Sequence, residues 1–233
     1  MKKTEKLDKD GKKGIIAWYS LISLNLIMLL IAAGTILWLN AWIFWLISML
    51  FQTIDFIVLA SKNPEILNER GKFVKEGTKS YDEKFVVFYL IGVLAAMIIM
   101  GLDATRFKWY PLPNWCLLFG LIFILPGYVL GVWAMVSNPF FELTGRIQKE
   151  REHKVIDKGP YQFIRHPGYA GEIIMLMGTP FILQSLLGYI PIIGLIILFV
   201  IRTNLEDKTL KKELPGYKNY SKKTKYRLLP HIW

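Results

Sequence analysis

A single cysteine, Cys116, leaves the chain without a disulfide framework or a thiolate metal site. Histidine is nearly as scarce, with three in 233 residues, and His153 and His166 have no further ligands at helical or turn spacing. No metal site is expected. No G-x-G-x-x-G follows a strand pattern, and neither a P-loop nor an H-E-x-x-H occurs, so a nucleotide-type cofactor would not be held by a Rossmann fold. Acidic residues are few: 18 Asp and Glu face 29 Lys and Arg, for a net charge of +11. Internal repeats, low-complexity linkers and two similar halves are also missing, which argues against a repeat-built transporter.

What is present is long apolar runs, within an overall apolar fraction of 53%. They lie at about 15–33, 36–60, 85–102, 115–137 and 168–201. A bilayer core needs about 20 apolar helical residues, so the chain reads as an all-α, multi-pass integral membrane protein. The last run is too long for one crossing. At about 1.5 Å per residue it would rise well beyond a hydrocarbon core of about 30 Å. Gln184-Ser185, Gly188 and Pro191 mark a break near its middle. Two short spans, about 168–185 and 188–203, are expected there as a tight hairpin, for about six spans in all.

Charge placement supports that count. Residues 1–14, 61–84, 138–167 and 202–233 hold 27 of the 29 Lys and Arg, leaving Arg106 and Lys108 for the other face. Six spans put all four segments on one side, which the positive-inside rule makes cytoplasmic, with both termini there. Five spans would strand the C-terminal charges. The basic N-terminus lacks a small-residue cleavage site and reads as leading into a retained first span. Topology and anionic headgroups account for the basic excess, so membrane lipids are expected partners and nucleic acid is not.

Any chemistry is expected on that basic face. The stretch "GPYQFIRHPGYAGE", residues 159–172, sets Pro-Gly turns and tyrosines around an Arg-His pair just before an apolar run. It fits a membrane-entry turn with interfacial tyrosines, or a rigid wall whose rings face a ligand. In "RTNLED", Arg202 and Glu206 are four apart and share a helix face. The arginine could snorkel or clamp a carboxylate or phosphate in a planar fork. Leu205, Leu210 and Leu214 follow as an apolar stripe, ended by Pro215-Gly216. Asp55 and Glu172 are acids within spans and therefore functional candidates.

The set "HKVIDKGPYQFIRHPGYAG" at 153–171, "RTNLED" and then "ELPGYKNY" resembles the isoprenylcysteine carboxyl methyltransferases, and more closely a prokaryotic branch of that family. The resemblance covers about the last 100 residues. It implies S-adenosylmethionine as methyl donor. The cofactor positions carry over onto Gln148, His153, Lys154, Val155, Ile156, Tyr161, His166, Pro167, Gly168 and Tyr169. The catalytic pair carries over onto Arg202 and Glu206, with Glu206 orienting the arginine or, for an amine acceptor, taking its proton. On this basis residues 1–137 form four N-terminal spans with a cytoplasmic loop at 61–84. Residues 138–233 form a methyltransferase core of cofactor loop, hairpin at 168–203 and C-terminal tail. The expected acceptor is a lipophilic small molecule or a lipidated, prenyl-like one bearing a carboxylate. An NADPH-dependent membrane sterol-type reductase and a phospholipid N-methyltransferase are the alternatives.

Overall fold

The computed structural model describes residues 7–70, 77–142 and 144–233, with Arg70 as backbone only. Part of the loop expected at 61–84, residues 71–76, lies outside the described residues. The chain is all-α. Its helices are α1 (Lys9–Ala33), α2 (Leu39–Lys62), α3 (Pro64–Arg70), α4 (Ser80–Gly101), α5 (Cys116–Ser137), α6 (Pro167–Ile182), α7 (Tyr189–Glu213) and α8 (Tyr217–Lys223). α4 continues through a π-helical turn, Leu102–Arg106.

Local chemistry sets several boundaries. Asp8 caps α1 by accepting the Gly11 amide at 2.8 Å, and Gly34 ends that helix in the left-handed region, φ 71°. Among the described residues five helices, α1, α2, α4 with its π turn, α5 and α7, are long and apolar enough to cross a membrane. α6 has 16 residues and is not among them. Their outer faces carry Ile31, Leu118, Ile122, Val129, Ile190 and Ile193, each more than half exposed. So broad an apolar surface suits lipid and not water.

Between helices, lipid gives no hydrophobic drive, so association depends on close packing. α5 and α6 meet through glycines: a Cβ at Gly171 would stand 2.6 Å from the Gly127 carbonyl, and one at Gly178 would stand 2.7 Å from that of Gly120. The central core joins α1, α4, α6 and α7 through Leu26, Leu29, Met97, Met100, Leu176, Ile192, Leu195 and Phe199.

The break expected at Gln184-Ser185 falls between α6 and α7, with Gln184 at φ 56°. A buried acid holds it. Asp103 in the π turn accepts the Ser185 hydroxyl at 2.6 Å and the Leu187 amide at 3.0 Å on one oxygen, and the Tyr110 amide at 2.7 Å on the other. α7 then runs ten residues past the span end expected at 203. It stops where Gly216, φ 84°, turns the chain into α8.

Candidate functional site

Beyond α5, residues 138–166 fold without long helices, and side-chain hydrogen bonds replace the missing backbone ladder. Asn138 ends α5, accepts the Phe140 amide at 2.9 Å and donates to the Tyr161 hydroxyl at 3.2 Å. Gln148 is almost wholly buried. Its Nε2 donates to the Phe140 carbonyl at 2.7 Å and its Oε1 accepts from Arg151. Arg151 also donates to the Pro139 carbonyl at 2.8 Å and to Glu65 on α3 at 2.7 Å. Arg146 is gripped by Glu142 at 2.9 Å and Glu150 at 2.7 Å. Gly159 takes φ +59° where a Cβ would run into Ser137 and Trp133.

The segment before α6 is laced to the C-terminal tail. The Arg165 and His166 amides donate to the Tyr226 and Arg227 carbonyls, both at 2.9 Å. The Arg165 side chain donates to the Thr224 carbonyl at 2.8 Å and the Lys225 carbonyl at 2.6 Å. At the centre stands Asp207, with a fully buried side chain. It takes Arg165 at 2.7 and 3.2 Å, Lys211 at 2.9 Å, Arg227 at 3.2 Å and the Tyr217 hydroxyl at 3.1 Å. His166 Nε2 lies 3.7 Å away.

These elements enclose a cavity of about 890 Å³, counted with its open mouth. Its lining includes Gln148, His153, Lys154, Val155, Ile156, Tyr161, His166, Gly168, Tyr169 and Glu206. Pro167, the first residue of α6, is buried and does not line it. Arg202 is also outside the lining. It sits between the Phe85 ring, 4.1 Å from the guanidinium carbon, and the Tyr169 ring, at 4.9 Å. Its Nε lies 2.8 Å from Asp82 Oδ1, and its Nη2 donates to Oδ2 at 3.1 Å. Glu206 accepts the Tyr169 hydroxyl at 2.5 Å. The fork that grips the guanidinium is therefore Asp82, whereas the i, i+4 spacing pointed to Glu206.

Aromatic and imidazole rings dominate the walls. His153 stacks on Phe140 at 4.6 Å between centroids, and His166 lies parallel to Tyr169 at 5.7 Å. His153 Nδ1 accepts the Gln148 amide at 3.5 Å, which requires a lone pair there. Burial, aided by Arg151 and Arg146, lowers the His153 pKa against the opposing pull of Glu142 and Glu206. Burial likewise pushes the Tyr161 and Tyr217 phenols up, so both stay neutral, Tyr161 accepting from Asn138 and Tyr217 donating to Asp207.

Sequence reasoning missed Tyr81, Asp82 and Phe85 on α4, and Phe140, Phe141 and Thr144 in the loop. Asp82 stands at the edge of an apolar run, where an acid in a first helical turn draws no notice. A buried acid needs a partner, and asking which cation Asp82 meets was the signal available. Phe140 and Phe141 were visible as a paired aromatic in the middle of a polar loop.

The cavity suits a ligand with an aromatic ring and both charge signs. Lys154 and the carboxylates Glu142 and Glu206 stand on its walls among tyrosines. The Thr144 hydroxyl is buried there without a hydrogen-bond partner. S-adenosylmethionine, with an adenine, an amino acid end and a sulfonium, matches that donor set.

Comparison with known proteins returns matches that agree with one another. A model of the isoprenylcysteine carboxyl methyltransferase (ICMT) family matches residues 116–212. Protein-S-isoprenylcysteine O-methyltransferase B of Arabidopsis thaliana is 37% identical over 67 residues, 28% of this chain and 34% of that protein. The protein-S-isoprenylcysteine O-methyltransferase of Saccharomyces cerevisiae is 24% identical over 183 residues, 73% of this chain and 72% of that protein. The chain thus spans about a third of the length of the plant relative it matches. The solved structure of a eukaryotic intramembrane Ras methyltransferase, ICMT, superposes with a TM-score of 0.55 at 20% identity, over 91% of this chain and 74% of that one. The two share a fold.

These matches correct the resemblance to a prokaryotic branch, because they run to the family through plant and yeast members. The reason lies in which residues carry the match. Residues 116–212 include the cofactor-like segment and "RTNLED". The tail from Glu213 to Trp233 lies beyond them.

Proposed function

We propose that the chain is a member of the isoprenylcysteine carboxyl methyltransferase family and works as an S-adenosylmethionine-dependent methyltransferase on a lipophilic, isoprenyl-like acceptor. The observation that carries this reading is the placement of one cavity between the loop, α6 and α7. It is walled by the "HKVI" and "RHPGY" segments, with Arg202 buried directly behind Tyr169.

When bound, S-adenosylmethionine supplies an electrophilic methyl group on a sulfonium centre. Gln148 shapes the binding loop through the Phe140 carbonyl and Arg151. His153, Val155, Ile156 and Tyr161 give apolar and ring contacts, and Tyr169 offers a π-face to a cation. His166, Pro167 and Gly168 fix the wall at the start of α6, which lowers the ordering cost of binding. Lys154 is the proposed partner for the carboxylate end, from a solvent-facing position at the cavity's edge.

An acceptor carboxylate is ionised at neutral pH and needs no base. Arg202 binds and orients it, and orientation is where an arginine adds rate in such a transfer. Glu206 fixes the Tyr169 hydroxyl. For an amine acceptor, Glu206 would be the proton acceptor.

The positive-inside rule supports a cytoplasmic site, with both termini on that side and α6 as a sixth, short crossing paired with α7. An amphiphilic acceptor then reaches Arg202 from the bilayer. The test is calorimetric titration of detergent-solubilised protein with S-adenosylhomocysteine and with NADPH. Saturable binding of the homocysteine alone is expected, and binding of NADPH alone would overturn the reading.

A further inference from the structure

Asp82 lies on α4, outside the residues that match the family model and outside the motifs that first marked the site. Its side chain is fully buried, and its carboxylate touches two different parts of the machinery. Oδ1 and Oδ2 hold the Arg202 guanidinium side-on, at 2.8 and 3.1 Å. Oδ2 also accepts the Gly145 amide at 2.7 Å. Gly145 and its neighbours Thr144 and Arg146 line the cavity.

We propose that Asp82 is a positioning residue for the transfer, joining Arg202 to the cavity loop through Gly145, so that the arginine is aligned when the loop is in place. This rests on the function proposed above. A guanidinium has a planar fork that a carboxylate fixes in direction as well as charge. With Phe85 and Tyr169 on its faces and Asp82 along one edge, Arg202 has little freedom left. The start of α4 is secured independently of that pair. The Lys79 amide donates to the Gly145 carbonyl at 3.4 Å, and the Lys79 ammonium holds Glu213 on α7 at 2.8 Å. Losing the carboxylate would therefore remove its grip on the guanidinium edge while these ties to α4 remain.

The experiment compares wild type, Asp82→Asn, Asp82→Glu, Arg202→Ala and the Asp82→Asn/Arg202→Ala double variant. The probes are S-adenosylhomocysteine for affinity and a farnesylated cysteine derivative as methyl acceptor. For Asp82→Asn the expected result is a kcat lower by about 100-fold, the scale of a misplaced reacting group. Its homocysteine affinity should stay within about threefold of wild type, since each factor of ten in affinity would signal a lost binding contact. Asp82→Glu should recover about tenfold of the loss by restoring the charge. The double variant should be no worse than Arg202→Ala, because a residue acting through another adds nothing once that other is gone.

A wild-type kcat in Asp82→Asn, or losses that multiply in the double variant, would overturn the proposal. So would loss of homocysteine binding in both Asp82 variants, which would make Asp82 part of the cofactor pocket. A silent wild type would count against the proposed function instead. Asp82 would then be judged by hydrogen exchange: the Gly145 amide should be protected in wild type and Arg202→Ala and exposed in Asp82→Ala, which has no acceptor for it. Equal exchange in all three would remove Asp82 from the loop.

Discussion

At the residue scale, His153 shows how surroundings set a charge state. Its ring is half-buried against Phe140 and uses Nδ1 as an acceptor, so it must be neutral to sit as it does. Burial lowers its pKa below the usual value of about 6.5. The unfolded chain therefore takes up the proton first as the pH falls. Stability from this group is complete above about pH 6.5 and declines as the pH drops toward the folded-state value. Affinity for S-adenosylhomocysteine should accordingly stay flat from pH 8 to about 6.5 and weaken only below it, as titration calorimetry at stepped pH can check. A decline already under way above pH 7 would contradict the neutral ring.

Asp207 is the second residue with a measurable signature. Four residues, Arg165, Lys211, Arg227 and Tyr217, converge on one buried carboxylate. Asp207→Ala leaves the buried Arg165 uncompensated, and such a loss costs about 3–5 kcal/mol. Lys211→Ala removes a partner that is about one-third exposed, and its effect should stay near the 0–1 kcal/mol of a surface pair. Thermal denaturation in detergent separates the two, with the larger fall in Tm for Asp207→Ala.

At the scale of elements, the apolar runs and the Gln184-Ser185 break were legible because each is a local signal. Length sets a crossing, and Gln, Ser, Gly and Pro interrupt one. The clamp at that break was not legible, since Asp103 meets Ser185 across 82 positions and spacing carries no trace of so distant a pair. Asp82 and Arg202, 120 positions apart, escaped for the same reason, and the i, i+4 rule then favoured Glu206. Hydropathy falls after residue 203, where the span was expected to end, while the helix continues to Glu213, just before the Pro215-Gly216 stop read from the sequence. Glycines on α5 and α6 gave no warning of their role either. Gly171→Val would push a side chain into the Gly127 backbone, at no less than the about 1–3 kcal/mol typical of overpacking. A matched drop in Tm for Gly127→Val is expected, whereas Gly131→Ala, where a Cβ meets nothing, should leave Tm unchanged.

For the whole molecule, the arrangement puts a polar, ring-lined cavity at one end of an apolar bundle. Every segment rich in Lys and Arg is proposed to share that end. Topology is testable with the chain's own chemistry, because the single native cysteine, Cys116, is buried and gives little background. Cysteines placed at the exposed Lys12 and Lys223 should both react with a membrane-impermeant maleimide only from the cytoplasmic side. Labelling of Lys223→Cys from the opposite face would reduce the crossings to five.

The most direct measurement of the central claim is transfer itself. Purified protein is incubated with methyl-labelled S-adenosylmethionine and a farnesylated cysteine derivative with a free carboxylate, and the organic-soluble product is then treated with alkali. The account predicts label in the product and its release as methanol, the behaviour of a methyl ester, with both strongly reduced in Arg202→Ala. Label that resists alkali, or no transfer by a protein that still binds S-adenosylhomocysteine, would contradict it.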